Sequence, residues 1–230
     1  MKRIFLLITL ALFLNADTIK VAAAANISYP LDELKQAFAK KYPNMDLVIN
    51  LGASGAFNSQ IKLGAEFDVF MAANMAFAQD LEELTKNKAI SYAKGRLLLF
   101  TPKAKADLKV LKTASCIAIA NPKTAPYGKA ASEVLSKVEN SNNIIQANSI
   151  SATLSQTLSA CDVGFVAASS KEEIKKLGYK DENMMIVDEN LHEPILQGMI
   201  ITSNNPSAKI FYDFILSDEA KIIFKKYGYE

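Results

Sequence analysis

The chain has 230 residues, 50% of them hydrophobic and 22% charged, an ordinary soluble balance that excludes disordered and low-complexity classes. Lys and Arg total 26 against 24 for Asp and Glu, with no basic block able to neutralise a run of phosphates, so nucleic acid is excluded as a partner. One histidine, His192, and two cysteines, Cys116 and Cys161, are too few for a zinc-type His/Cys site, and any Ser–His or Cys–His catalyst would have to share that histidine.

The chain begins with Lys2 and Arg3, the apolar run from Ile4 to Leu14, and Leu14-Asn15-Ala16. This is the pattern of a cleavable secretory signal peptide, residues 1–16, and the apolar run is too short for a membrane span of about 20 residues. No cysteine follows the cleavage point, so no lipid anchor is expected; loss of Lys2 and Arg3 leaves the mature chain formally neutral. An exported protein meets an oxidising space. There Cys116 and Cys161 either pair, adding about 4 kcal/mol on the chain-entropy model, or stay as two buried thiols at the ends of neighbouring strands.

After the signal, strand, turn and helix alternate. Residues 18–25 (TIKVAAAA) read as a strand, and a helix begins near Pro30, carrying Leu31, Leu34, Ala37 and Phe38 at helical spacing up to Pro43. Residues 47–51 read as a short buried strand, 56–63 as a helix, 68–72 as a strand and 75–86 as a helix. A new run starts with a strand at 96–101, then a strand at 116–120 and a helix at 129–138. Strands at 144–147 and 163–167 bracket a helix from about 150 to 160; a helix at 171–177, strands at 184–187 and 194–202, and helices at 207–216 and 218–226 complete the chain. Such alternation implies α/β architecture, with parallel βαβ units and helices on both faces of each sheet. There are too many strands for one tidy six-strand sheet, so two smaller α/β domains are expected; neither a Gly/Ser or Pro-rich linker nor an internal repeat is present.

Four strand-to-helix turns are rich in small and hydroxyl residues: Ala25-Asn26-Ile27-Ser28, Ala53-Ser54-Gly55, Thr124-Ala125-Pro126-Tyr127-Gly128 and Asn148-Ser149-Ile150-Ser151. Lys123, beside the third, is the sole charge among them. Ligands of open α/β sheets bind beyond the C-terminal strand ends, where helix N-termini offer unpaired N–H groups to an anion. Ser and Asn are also the commonest N-caps, so each turn taken singly signals capping. Catalysis is poorly supported. Gly52-Ala53-Ser54-Gly55-Ala56 misses the last glycine of a nucleophile elbow, and His192 reads as a solvated loop residue. Asp32-Glu33, Glu82-Glu83 and Glu172-Glu173 sit beside lysines on solvated helix faces.

The ordered set Val21-Ala22-Ala23-Ala24-Ala25-Asn26, Gly52-Ala53-Ser54-Gly55 with Gln60-Ile61, Asp68-Val69-Phe70 with Ala72-Ala73, Ile119 through Gly128, Gly164-Phe165-Val166-Ala167, and the ending Phe211-Tyr212-Asp213-Phe214 with Phe224 through Gly228 resembles the periplasmic molybdate-binding proteins of ABC importers. The resemblance covers nearly all of the mature chain. It implies a type II periplasmic-binding-protein fold, two α/β lobes joined by a hinge: lobe 1 from 17–95 plus 201–230, and lobe 2 from 96–200. It implies molybdate or tungstate held without metal–ligand bonds from the protein, no cofactor, no catalysis, and delivery by a monomer to a membrane permease with a cytoplasmic ATPase. Carried over by position, Asn26 gives its N–H and side-chain amide, Ser54 its hydroxyl and N–H, Tyr127 its N–H or phenol, and Ile150 its N–H. Two positions depart from the family: Asn26 stands where many members have serine, and Ala167 where some have tyrosine, for which Tyr127 would substitute. The rival readings are a receptor for sulfate, phosphate or a small organic anion on the same fold, a secreted serine hydrolase using Ser54 and His192, and an adhesive surface protein.

Overall fold

Two five-stranded sheets share the chain in the computed structural model, which describes residues 17–230; the expected signal peptide lies outside the described residues. The first run is β1 (Asp17–Ala24), a 3-10 turn (Ala25–Ser28), α1 (Leu31–Lys41), β2 (Met45–Gly52), α2 (Ser54–Lys62), β3 (Val69–Ala72), α3 (Met75–Gln79), α4 (Glu82–Thr85) and β4 (Ile90–Gly95). The second is β5 (Leu97–Phe100), β6 (Ile117–Ala120), α5 (Pro126–Lys137), β7 (Ile144–Ala147), α6 (Ile150–Ser159), β8 (Val163–Ala167), α7 (Lys171–Lys176) and β9 (Met184–Ile186). β10 (Ile195–Ile201), α8 (Pro206–Ile215) and α9 (Asp218–Lys226) end the chain.

The sheet orders are β2-β1-β3-β10-β4 and β7-β6-β8-β5-β9. In each, one strand pairs in parallel with two others (β1 with β2 and β3, β6 with β7 and β8), and antiparallel strands extend that parallel core. The sheets are therefore mixed, where the alternation had suggested parallel units throughout: β10 runs antiparallel to β3 and β4, and β5 to β8 and β9. One boundary needs correction. Residues 195–200, assigned from the sequence to the second lobe, lie in β10 of the first sheet, so the chain returns before Ile195. An apolar strand carries no mark of the sheet it will join, which is why the sequence misplaced it.

Both faces of each sheet are covered. In the first, Ile19, Val21 and Ala23 of β1 share a cluster with Phe38, Phe211 and Phe214 of the helices on one side, while Ala22 joins Phe57, Phe70 and Leu81 on the other. That alternation is the two-residue period of a strand buried on both faces. In the second, Leu97, Leu99, Ile117 and Phe165 pack on α5, and Leu98, Phe100 and Val166 on Leu154 and Ile174. Each fully buried Phe or Leu is worth about 1.5–3 kcal/mol. β2, expected to be buried, is an edge strand with most of its residues exposed or half-buried. Cys116 and Cys161, adjoining the N-terminal ends of β6 and β8, are joined as a disulfide with Cα atoms 4.7 Å apart.

Candidate ligand-binding site

The C-terminal ends of the parallel strands of both sheets converge on one small cavity. Its walls are Ala24, Ala25 and Asn26 after β1; Gly52, Ala53 and Ser54 between β2 and α2; Ala73 after β3; Ala125, Pro126 and Tyr127 opening α5; and Ile150 opening α6. Asn26, Ser54, Tyr127 and Ile150, singled out from four separate turns, thus border a single space. That space has room for the centre of about one water-sized sphere, roughly 10 Å³, whereas larger concavities elsewhere reach about 600 Å³. No lining residue carries a charge.

Sequence at the helix starts explains what the cavity offers. The N-caps of α2 and α5 are Ala53 and Ala125, and neither supplies a side-chain bond. First-turn N–H groups have no intrahelical partner, and a buried helix end without a cap requires another acceptor. Ser54 and Ile150 occupy the first position of their helices and Tyr127 the second, each at most 5% exposed. Ser149 caps α6 by accepting from the N–H of Ala152, beyond Ile150. The Ser54 hydroxyl accepts from the N–H of Ala73 at 2.9 Å, so its own hydrogen is left to donate. α5 begins at Pro126, not at residue 129 as expected, because a proline at the first helical position needs no N–H partner.

The side chains of Asn26 and Tyr127 point elsewhere. Asn26 Nδ2 donates to Gln197 Oε1 at 2.8 Å and to the Tyr229 hydroxyl at 2.7 Å, with the Tyr127 hydroxyl at 3.4 Å. A Cβ on Gly95 would overlap the Tyr127 hydroxyl, so the phenol is seated against the crossing between the lobes. Burial foremost, then the neighbouring tyrosines, push the Tyr127 phenol well above its ordinary pKa. The amide nitrogen of Asn26 and the phenol of Tyr127 are thus both engaged in this buried network.

Contacts from the two lobes meet around the cavity. The N–H of Gly55 donates to the carbonyl of Thr124 at 2.9 Å, the Ser169 hydroxyl donates to the carbonyl of Asn26 at 2.8 Å, and Ala24, Ala25 and Ala73 join the apolar cluster of the second lobe. The lobes are closed. Among the described residues nothing pairs Ser54 with a base: His192 is not the solvated residue expected but 7% exposed, with Nδ1 2.7 Å from the carbonyl oxygen of Glu193. It lies between a short 3-10 turn and β10, an enclosure that its polar flanking sequence conceals. Thr124 belongs to the third of the turns marked in the sequence, whereas Gln197, Tyr229 and Ser169 carry no local signal beyond a Gln inside an apolar strand.

Residues 19–230 match the family model of bacterial extracellular solute-binding proteins. The chain belongs to that family. Among its relatives it is 34% identical to the molybdate-binding protein ModA of Azotobacter vinelandii, with 96% of this chain and 92% of that one covered. It is 33% identical to ModA of Rhodobacter capsulatus, covering 97% and 92%. A solved structure of the Azotobacter vinelandii periplasmic molybdate-binding protein superposes with a TM-score of 0.81 at 31% identity, covering 92% of this chain and 98% of that one. The two sheets are accordingly the two lobes of the solute-binding fold, and the cavity lies in its cleft.

Proposed function

We propose that this solute-binding protein is a periplasmic receptor that captures molybdate, and tungstate with it, and hands the anion to a membrane permease driven by a cytoplasmic ATPase. The observation that carries the reading is the charge-free cavity lined by the opening residues of three helices, where first-turn N–H groups have no intrahelical partner. The names of its relatives agree. A buried anion is favoured there by the positive helix ends and by charge-assisted hydrogen bonds, each worth about 1.5–3 kcal/mol. The donors are the N–H groups of Asn26, Ser54, Tyr127 and Ile150 and the hydroxyl of Ser54. Being fixed by backbone, they favour one tetrahedral radius; a smaller oxyanion such as sulfate leaves some buried donors unpaired. The protein chemistry uses no cofactor and no direct metal coordination, since every donor is an N–H or O–H group. The same reading takes residues 1–16 as a cleaved export signal without lipid anchor, and the mature protein as a monomer.

Thermal unfolding of the mature chain with molybdate, tungstate, sulfate or phosphate tests this. Ligand at a hundred times its dissociation constant stabilises by about 2.7 kcal/mol, a rise of roughly 5–11 °C in Tm for this size. Rises with the first two anions only, abolished by Ser54→Ala, are expected. A rise with sulfate or phosphate instead would move the substrate, and no rise with any of the four would sink the oxyanion reading.

A further inference from the structure

The last turn of the chain does more than end it. After α9, Gly228 passes beside Ala168 of the second lobe, and the backbones of Glu230 and Lys94 bond in both directions at 2.6 and 2.9 Å, adding a rung to the free edge of β4. Between them stands Tyr229, 3% exposed, its ring edge-on to Phe224 at 5.3 Å. Its hydroxyl donates to the carbonyl of Asn26 at 2.9 Å and accepts from Asn26 Nδ2 at 2.7 Å, gripping one residue at both backbone and side chain.

Gln197 completes the grip. Its Nε2 donates to the carbonyls of Ala73 at 3.3 Å and Ile195 at 3.2 Å, so turning the amide over would set Oε1 against two carbonyl oxygens. Held that way, Oε1 accepts from Asn26 Nδ2 and dictates which way the Asn26 amide faces. The cost is visible: Asn26 Oδ1 is buried with no partner. The carbonyl of Asn26 that Tyr229 holds is also the acceptor reached from the second lobe by Ser169.

From this network we propose that Tyr229 and Gln197 are positioning residues for anion capture: they fix the Asn26 peptide so that its N–H meets the ligand and its carbonyl receives Ser169 when the lobes close. The inference rests on the receptor reading above. It makes the penultimate residue, distant in sequence from every ligand donor, a determinant of affinity.

Calorimetric titration of the mature protein with molybdate, at a temperature where every variant is fully folded, is the test. Tyr229→Phe keeps the ring and deletes both bonds; affinity is expected to fall about ten- to a hundredfold. Gln197→Met keeps the length and deletes the amide, with a fall of the same order, and serves if the first variant does not fold. A merely structural role is separated by a double-mutant cycle. Ser169→Ala and Tyr229→Phe act on one carbonyl, so the double variant should lose less than the product of the two single losses. Wild-type binding with both single variants within twofold of it would overturn the positioning role alone, as would strictly multiplicative losses. Wild-type protein that binds none of the four oxyanions would overturn the receptor reading and this inference with it.

Discussion

Gly55 sits where the two lobes touch. Its N–H bonds to Thr124 of the other lobe, and a Cβ built on it would lie 2.9 Å from the Thr124 Cα and 3.0 Å from the Phe77 ring. The ring can turn aside, but the Thr124 backbone gives way only if the lobes part. Gly55→Ala should therefore weaken molybdate binding by tenfold or more while leaving the ligand-free Tm within a few degrees, because an open form relieves the clash. Titration calorimetry reads the affinity, thermal unfolding the Tm, and small-angle scattering the open form: the variant should keep a larger radius of gyration at an anion concentration that closes the wild type. Unchanged affinity would show that closure tolerates the methyl group. Asp162 carries a different kind of residue-scale prediction. A hydrogen bond from Lys103, with further ones from the side chain and N–H of Ser115, holds its carboxyl down at about 2, against an ordinary value of 3.8. The folded state then binds fewer protons than the unfolded one between those values. Its stabilisation is complete above about pH 4 and lost as pH falls toward 2. Asp162→Asn should flatten that part of the acid denaturation curve, and a variant with the wild-type acid limb would exclude this carboxyl as its source.

At the scale of elements, the disulfide and the anion cavity lie at opposite ends of the second sheet. Cys116 and Cys161 adjoin the N-terminal ends of β6 and β8, whereas Tyr127 and Ser169 follow the C-terminal ends of the same strands. Reduction releases a loop closed across 45 positions, and should cost about 4 kcal/mol. Roughly 8–16 °C in Tm is the expected loss, with molybdate affinity within twofold once the protein is folded. A large affinity change on reduction would mean that strain travels the length of the sheet. These elements also show what the chain could disclose by itself. α6 and α9 were legible to within a residue because Ser149 and Ser217 cap them, each accepting a bond from the first turn. α5 was placed three residues late, since its start is marked by a proline and an uncapped alanine in place of a polar cap. β4 went unread: Ile90–Gly95 has neither a clean alternation nor an apolar run, and it is a strand because β10 pairs with it. Local chemistry was readable where a side chain closes its own element, and silent where the partner comes from afar. For the same reason the four turn residues could be found, while the bonds from Asn26 to Gln197 and Tyr229, spanning 171 and 203 positions, could not.

Across the whole molecule, the hinge is the place where buried aromatic hydroxyls gather. Tyr127 comes from the second lobe, Tyr92 from β4 of the first and Tyr229 from the chain end, and all three are at most 7% exposed. Burial, ahead of any neighbouring charge, pushes each phenol above its usual range. Outside this buried set, Lys94 lies between Glu189 at 2.8 Å and Glu230 at 3.2 Å, and Arg96 pairs with Glu230, tying the crossing strands to the chain end. Such half-exposed pairs are worth little in stability, about 0–1 kcal/mol each, so the hinge depends on the aromatic network more than on its charges. The sign of the pH effect follows. Between the ordinary tyrosine value near 10 and the raised folded values, the folded state holds protons that the unfolded state has released, so stability falls as pH rises past about 10. Three linked phenols give a steep dependence, about 4 kcal/mol per pH unit. With no tryptophan among the 230 residues, tyrosinate absorbance follows the event directly. The buried three should ionise only in a late, cooperative step that coincides with loss of circular dichroism. Saturating molybdate, contributing about 2.7 kcal/mol at a hundred times its dissociation constant, should then delay that step by roughly 0.7 pH unit. Smooth ionisation of these three near pH 10 with the fold intact would show that the hinge opens to solvent without unfolding. A cooperative step that molybdate leaves in place would separate the hinge from the ligand and count against closure as the receptor's signal.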